Sequence, residues 1–121
     1  MGGGEAVIVA GIGCRKGCPA EAIVALVQGA DTLAAPAWKA AEPGLLAAAV
    51  LLDLPLRFVD DAALAAVQAR CPTQSAKAAQ AVGFASVAEA AALAGGGTLL
   101  RPRFGNTWAT CALAVEPHSK P

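Results

Sequence analysis

The chain has 121 residues, 56 % of them hydrophobic and 15 % charged, which suits one domain with its own core and excludes the high-charge signature of disorder. Nine Lys and Arg balance nine Asp and Glu, so no global basic field recruits nucleic acid and any charge-driven function is local. The longest apolar run, residues 45–52, stops far short of the roughly 20 residues of a membrane span, and residues 1–5 lack the basic and apolar regions of a signal peptide. The expectation is a cytoplasmic chain without a membrane partner.

In chain order, residues 5–13 form a short apolar, β-branched run ended by glycines, the pattern of a central strand buried on both faces. Residues 19–27 begin with a proline suited to a first helical turn and continue with apolar residues at helical spacing. A second strand over residues 31–35 is closed by Pro36, and Glu42-Pro43-Gly44 opens a helix over residues 45–52. Residues 55–59 read as a third strand, and Asp60 or Asp61 caps a helix over residues 62–69. Thr73-Gln74-Ser75 precedes an alanine-rich helix to Val82. Ser86 and Glu89 have capping-box spacing before another helix at residues 90–94.

After Gly95-Gly96-Gly97, strands over residues 98–103 and 106–115 are separated only by Phe104-Gly105. That spacing predicts an antiparallel hairpin, because a parallel crossover needs a dozen or more residues. The fold expected is α/β: a three-layer α/β/α sandwich on a mixed, mainly parallel sheet of about five strands, closed by the C-terminal hairpin. Residues 1–121 make a single domain, with residues 1–4 and 116–121 expected to be flexible.

The chemistry-bearing candidates lie in loops. Gly11-Ile12-Gly13-Cys14-Arg15-Lys16-Gly17 is a glycine-rich turn between the first strand and first helix, suited either to anion binding or simply to a tight turn with solvated cations. It fits neither a dinucleotide fingerprint, whose third glycine would fall at Lys16, nor a P-loop. Lys39, Glu42 and Gly44 occupy a second loop that enters a helix. If both loops lie at one sheet edge, Arg15, Lys16, Lys39 and Glu42 line one cleft at the carboxyl ends of the strands. Thr73 and Ser75 are further hydrogen-bond donors, and Ser86 with Glu89 serves as a cap or a ligand contact. Trp38 and Trp108 either pack or stack on a planar ligand.

The four cysteines do not suggest a metal: Cys14 and Cys18 are separated by three residues where zinc knuckles use two, and Cys71 and Cys111 stand alone. Cys14, beside Arg15 and Lys16, is expected either to have a lowered thiol pKa or only to pack the turn. No cofactor is expected. The single His118 lies in the tail, so no Ser-His-Asp or Cys-His arrangement is credible.

Taken together, residues 11–17, Lys39 with Glu42-Pro43-Gly44-Leu45, Leu54-Pro55-Leu56-Arg57-Phe58, and Ser86-Val87-Ala88-Glu89-Ala90-Ala91-Ala92-Leu93 resemble the CobE and CbiG C-terminal family of cobalamin biosynthesis. The order of the motifs matches and they span nearly the whole chain. The chain departs at Cys18-Pro19, where that family usually continues with threonine or serine, and at Phe84, where a small or hydroxyl residue is common. The resemblance implies a role with a precorrin or corrinoid intermediate, whose acetate and propionate arms suit a cationic cleft. Three roles follow from it: a carrier or accessory factor, a hydrolase or lyase opening the precorrin lactone with Glu42 as base, or a non-catalytic partner of another cobalamin-pathway enzyme.

Overall fold

The computed structural model describes residues 6–27, 29–71 and 87–117. Strand β1 (Ala6–Cys14) leads into the short helix α1 (Ala20–Val24), then β2 (Thr32–Pro36). A 3-10 turn (Ala37–Lys39) precedes helix α2 (Pro43–Leu52), followed by β3 (Leu56–Val59) and α3 (Asp61–Ala66), which ends in a second 3-10 turn (Gln68–Arg70). Helix α4 (Val87–Leu93) leads to the hairpin of β4 (Thr98–Gly105) and β5 (Ala109–Pro117).

The sheet order is β3-β2-β1-β5-β4, so β1 is central as its composition predicts. It pairs in parallel with β2 and antiparallel with β5 over its whole length, from Ala6↔Pro117 to Cys14↔Ala109. Because β4 is antiparallel to β5, β5 is the one strand among the described residues that runs against the others. The sheet is mixed rather than mainly parallel: among the described residues β1-β2 and β2-β3 pair in parallel, β1-β5 and β4-β5 antiparallel.

Alternation along the strands divides the core between two helical layers. Val9, Ala34, Ala112 and Ala114 face α3 and α4, whereas Ala10, Ile12, Leu33, Ala35 and Cys111 face α1 and α2. That is the three-layer sandwich. Helix α4 packs close to the sheet because its buried residues include Ala88, Ala90, Ala91 and Ala92, and β1 offers Gly11 beneath it. The sheet edges are treated differently. At one edge, β4 carries Arg101-Pro102-Arg103 and two register shifts, features that discourage pairing with another chain. Edge strand β3 is only four residues long.

Four details refine the sequence-based expectations. Asp60, not Asp61, caps α3, its Oδ1 accepting from the Ala63 N–H at 2.8 Å, so Asp60→Ala should cost about 1 kcal/mol in urea unfolding. The regular α-helix there is shorter than residues 62–69 and finishes as 3-10 turn. The hairpin reverses at residues 106–108 rather than at Phe104-Gly105, because the Asn106 side chain nucleates the turn: its Oδ1 accepts from the Trp108 and Ala109 N–H groups at 2.9 and 3.0 Å. Glu116, expected in a frayed tail, instead lies in β5 with its Oε2 3.0 Å from the Arg57 guanidinium. Thr73, Ser75, Phe84, Ser86 and His118, and the alanine-rich helix expected up to Val82, lie outside the described residues.

Candidate functional site

Two loops meet at the carboxyl ends of β1 and β2. The chain leaving β1 turns at Arg15, whose carbonyl accepts from the Cys18 N–H at 3.1 Å. The chain leaving β2 turns through Trp38 and Lys39, whose carbonyl accepts from the Glu42 N–H at 3.0 Å before α2 begins. Glu42 occupies the N-cap position of α2 but does not cap that helix with its side chain. Instead its Oε2 accepts from the Gly17 N–H at 3.0 Å, a bond across 25 residues of sequence. Its Oε1 lies 3.8 Å from the Lys39 ammonium. The start of α2 also presses against the first loop, with Gly44 seated directly on the Cys18 carbonyl.

Between the two loops is an open cleft of about 610 Å³, lined by Lys16, Gly17, Trp38, Lys39, Glu42 and Gly44. That volume lies within the range of ligand pockets, roughly 300–1,000 Å³. Trp38 keeps 43 % of its surface exposed here, so its ring supplies an apolar wall rather than filling the core. Two ammonium groups and one carboxylate give the cleft its polarity. Such a site can hold an extended, partly apolar ligand that carries negative charge.

Several sequence candidates are placed elsewhere. Arg15 does not share the cleft with Lys16: it lines a separate, smaller recess of about 260 Å³ with Gly13, Thr107 and Trp108. Gly11 lies inside β1 against α4, away from the cleft. Glu89 is fully buried, and its Oε2 accepts from the Arg103 N–H at 2.8 Å, tying α4 to β4. Arg57, Arg70 and Arg101 are engaged with Glu116, the Gly97 carbonyl and the Phe104 ring respectively. Among the described residues no group of three or more His, Cys, Asp or Glu is placed to hold a metal ion.

Of the two expectations for Cys14, an activated thiol or one that packs the turn, its surroundings fit the second. Burial pushes the thiol up to about 11, outweighing the pull of the Lys39 ammonium, and Cys18 and Glu42 add to the rise. Burial likewise lifts Cys71 to about 11 and Cys111 to about 12. At pH 8, Cys14 should therefore react with a thiol reagent far more slowly in the native chain than in urea, since only about one thiol in a thousand is ionised. The raised values also set the alkaline stability. Above pH 9 the unfolded chain releases thiol protons that the native chain retains, so unfolding free energy falls as pH rises toward 12. Thermal melts at pH 8 and pH 10.5 should show the lower Tm at the higher pH.

The family model described as cobalamin synthesis G C-terminus matches residues 8–114. Protein CobE of Sinorhizobium sp is 36 % identical over 121 residues, an alignment covering 88 % of this chain and 79 % of that protein. The crystal structure of CobE, a protein from the cobalamin (vitamin B12) biosynthetic pathway, superimposes with a TM-score of 0.84 at 38 % identity. It covers 92 % of this chain and 94 % of its own. The cobalamin biosynthesis protein chiG from Agrobacterium tumefaciens str. C58 matches with a TM-score of 0.70 at 41 % identity, over 89 % of this chain and 97 % of that one. No helix among the described residues is long and apolar enough to cross a membrane.

Proposed function

This chain belongs to the cobalamin synthesis G C-terminus family, and on that premise we propose that it binds a precorrin or corrinoid intermediate in the Trp38 cleft, as a carrier or accessory factor. The observation that carries this reading is the pairing of an exposed tryptophan face with the Lys16 and Lys39 ammonium groups around one open cleft. The macrocycle presents a broad apolar face for Trp38, and its acetate and propionate arms present carboxylates to the lysines.

The engagement of Glu42 favours binding over catalysis. A general base must turn a lone pair toward the substrate, whereas Glu42 holds the Gly17 N–H with one oxygen and faces Lys39 with the other. A spectroscopic titration with metal-free corrinoid intermediates tests the reading. Trp38→Ala and Lys39→Ala should each weaken binding about tenfold, while wild-type protein that binds no intermediate would refute it. Glu42→Gln separates the hydrolase or lyase alternative: loss of lactone opening with retained affinity would make Glu42 catalytic, whereas a carrier keeps its affinity and has no turnover to lose.

A separate observation supports the partner-subunit alternative. Helix α2 contains no polar side chain, and Val50 and Leu51 on it are 78 % and 65 % exposed. A contact with another cobalamin-pathway enzyme through that face should be lost from co-purification when Val50→Lys places a charge there.

A further inference from the structure

We propose that the recess lined by Arg15, Thr107 and Trp108 receives a carboxylate arm of the ligand whose ring occupies the Trp38 cleft, so that one ligand straddles the turn at residues 15–17; this rests on the ring-binding reading above. The two depressions are lined by consecutive residues of the same turn. Lys16 and Gly17 line the larger, Cys14 and Arg15 the smaller. At about 260 Å³ the recess falls below the usual size of a ligand pocket and suits a substituent rather than a ring.

Its chemistry is one-sided. Among the described residues no acidic side chain lines it, and the Arg15 side chain makes no ion pair. Thr107 and Trp108, whose side chains each carry a hydrogen-bond donor, line it together with Arg15, and Trp108 is 41 % exposed at a hairpin tip where it fills no core. An acid-free pocket rich in donors favours a carboxylate over a cation or an apolar group.

The walls are held in place by hydrogen bonds within the chain. Asn106 uses its Oδ1 for the Trp108 and Ala109 N–H groups and donates from Nδ2 to the Ala22 carbonyl at 3.0 Å, which pins the hairpin tip to α1. The Arg15 N–H donates to the Trp108 carbonyl at 3.0 Å, joining the turn to the same tip. Arg15, Thr107 and Trp108 are therefore presented from a fixed frame, and a carboxylate binds without first ordering a loop.

The test uses a metal-free corrinoid with free carboxylate arms and a derivative with those arms converted to primary amides, each titrated by absorbance. Arg15→Ala should weaken the acid form about tenfold while changing the amide form less than about twofold, and Trp108→Ala should weaken the acid form several-fold with unchanged circular dichroism. Equal loss on both forms in Arg15→Ala would reduce Arg15 to a general contact and overturn the proposal. Wild-type affinity in both variants, with affinity lost in Trp38→Ala, would overturn it while leaving the Trp38 cleft intact. Failure of the wild-type protein to bind either compound would remove both readings together.

Discussion

Gly11→Ala is expected to cost about 3 kcal/mol of stability, observed as a fall of roughly 10 °C in Tm. A Cβ at this position would run into the Ala88 carbonyl oxygen and come within 2.5 Å of the Ala92 nitrogen and 2.9 Å of the Ala92 Cβ. Two of these three atoms are backbone, so no rotamer change can make room. Helix α4 would have to rise from the sheet, separating the buried Glu89 carboxylate from the Arg103 N–H. Adding Ala92→Gly to the same chain removes the Cβ contact and leaves the two backbone contacts, so the rescue should be partial. A Tm within about 2 °C of wild type would mean that α4 does not lie against β1 in solution.

That close approach illustrates what the sequence makes legible and what it conceals. The β-branched run at residues 7–9 and the glycines after it identify β1 as the central strand without knowledge of its neighbours. The hairpin is legible as well, because a short separation leaves only an antiparallel return. Its turn is misplaced by sequence reasoning because Phe104-Gly105 looks like a loop, whereas Asn106 makes a better one by accepting two backbone bonds with one side chain. Glu89 is similarly ambiguous. Its spacing after Ser86 suggests a helix start, and only tertiary structure shows its carboxylate committed to the Arg103 backbone.

The site was legible as residue types and hidden as geometry. Glycine, arginine and lysine after the first strand, and lysine and glutamate before α2, are the groups that gather at the carboxyl end of the sheet. Adjacency in sequence, however, suggests that Arg15 and Lys16 act together, and the turn places them in different depressions. Sequence leaves the Cys14 thiol undecided between activation and packing for a related reason. Sequence shows the cations beside it, which lower a pKa, but not the burial that raises it, and burial is the larger effect. Trp38 and Trp108 carry no sequence mark that distinguishes a core residue from a wall of an open pocket.

Gly44→Ala tests the contact on which the cleft depends, and two opposing effects decide its sign. Alanine favours a helix by up to about 1 kcal/mol over glycine, which alone would stabilise α2. Against it, a Cβ would be driven into the Cys18 carbonyl oxygen and lie 3.0 Å from the Cys18 carbonyl carbon, both fixed backbone atoms. Overpacking of this kind costs up to about 3 kcal/mol, so a net loss of about 2 kcal/mol and a Tm lowered by roughly 6–10 °C are expected. The displacement acts where Glu42 reaches the Gly17 N–H, and separating those groups opens the cleft between Lys16 and Lys39. Corrinoid affinity should accordingly fall about tenfold even well below the lowered Tm, where the variant is still folded. A raised Tm with unchanged affinity would show that the helix preference wins and that the Cys18 loop yields without disturbing the site.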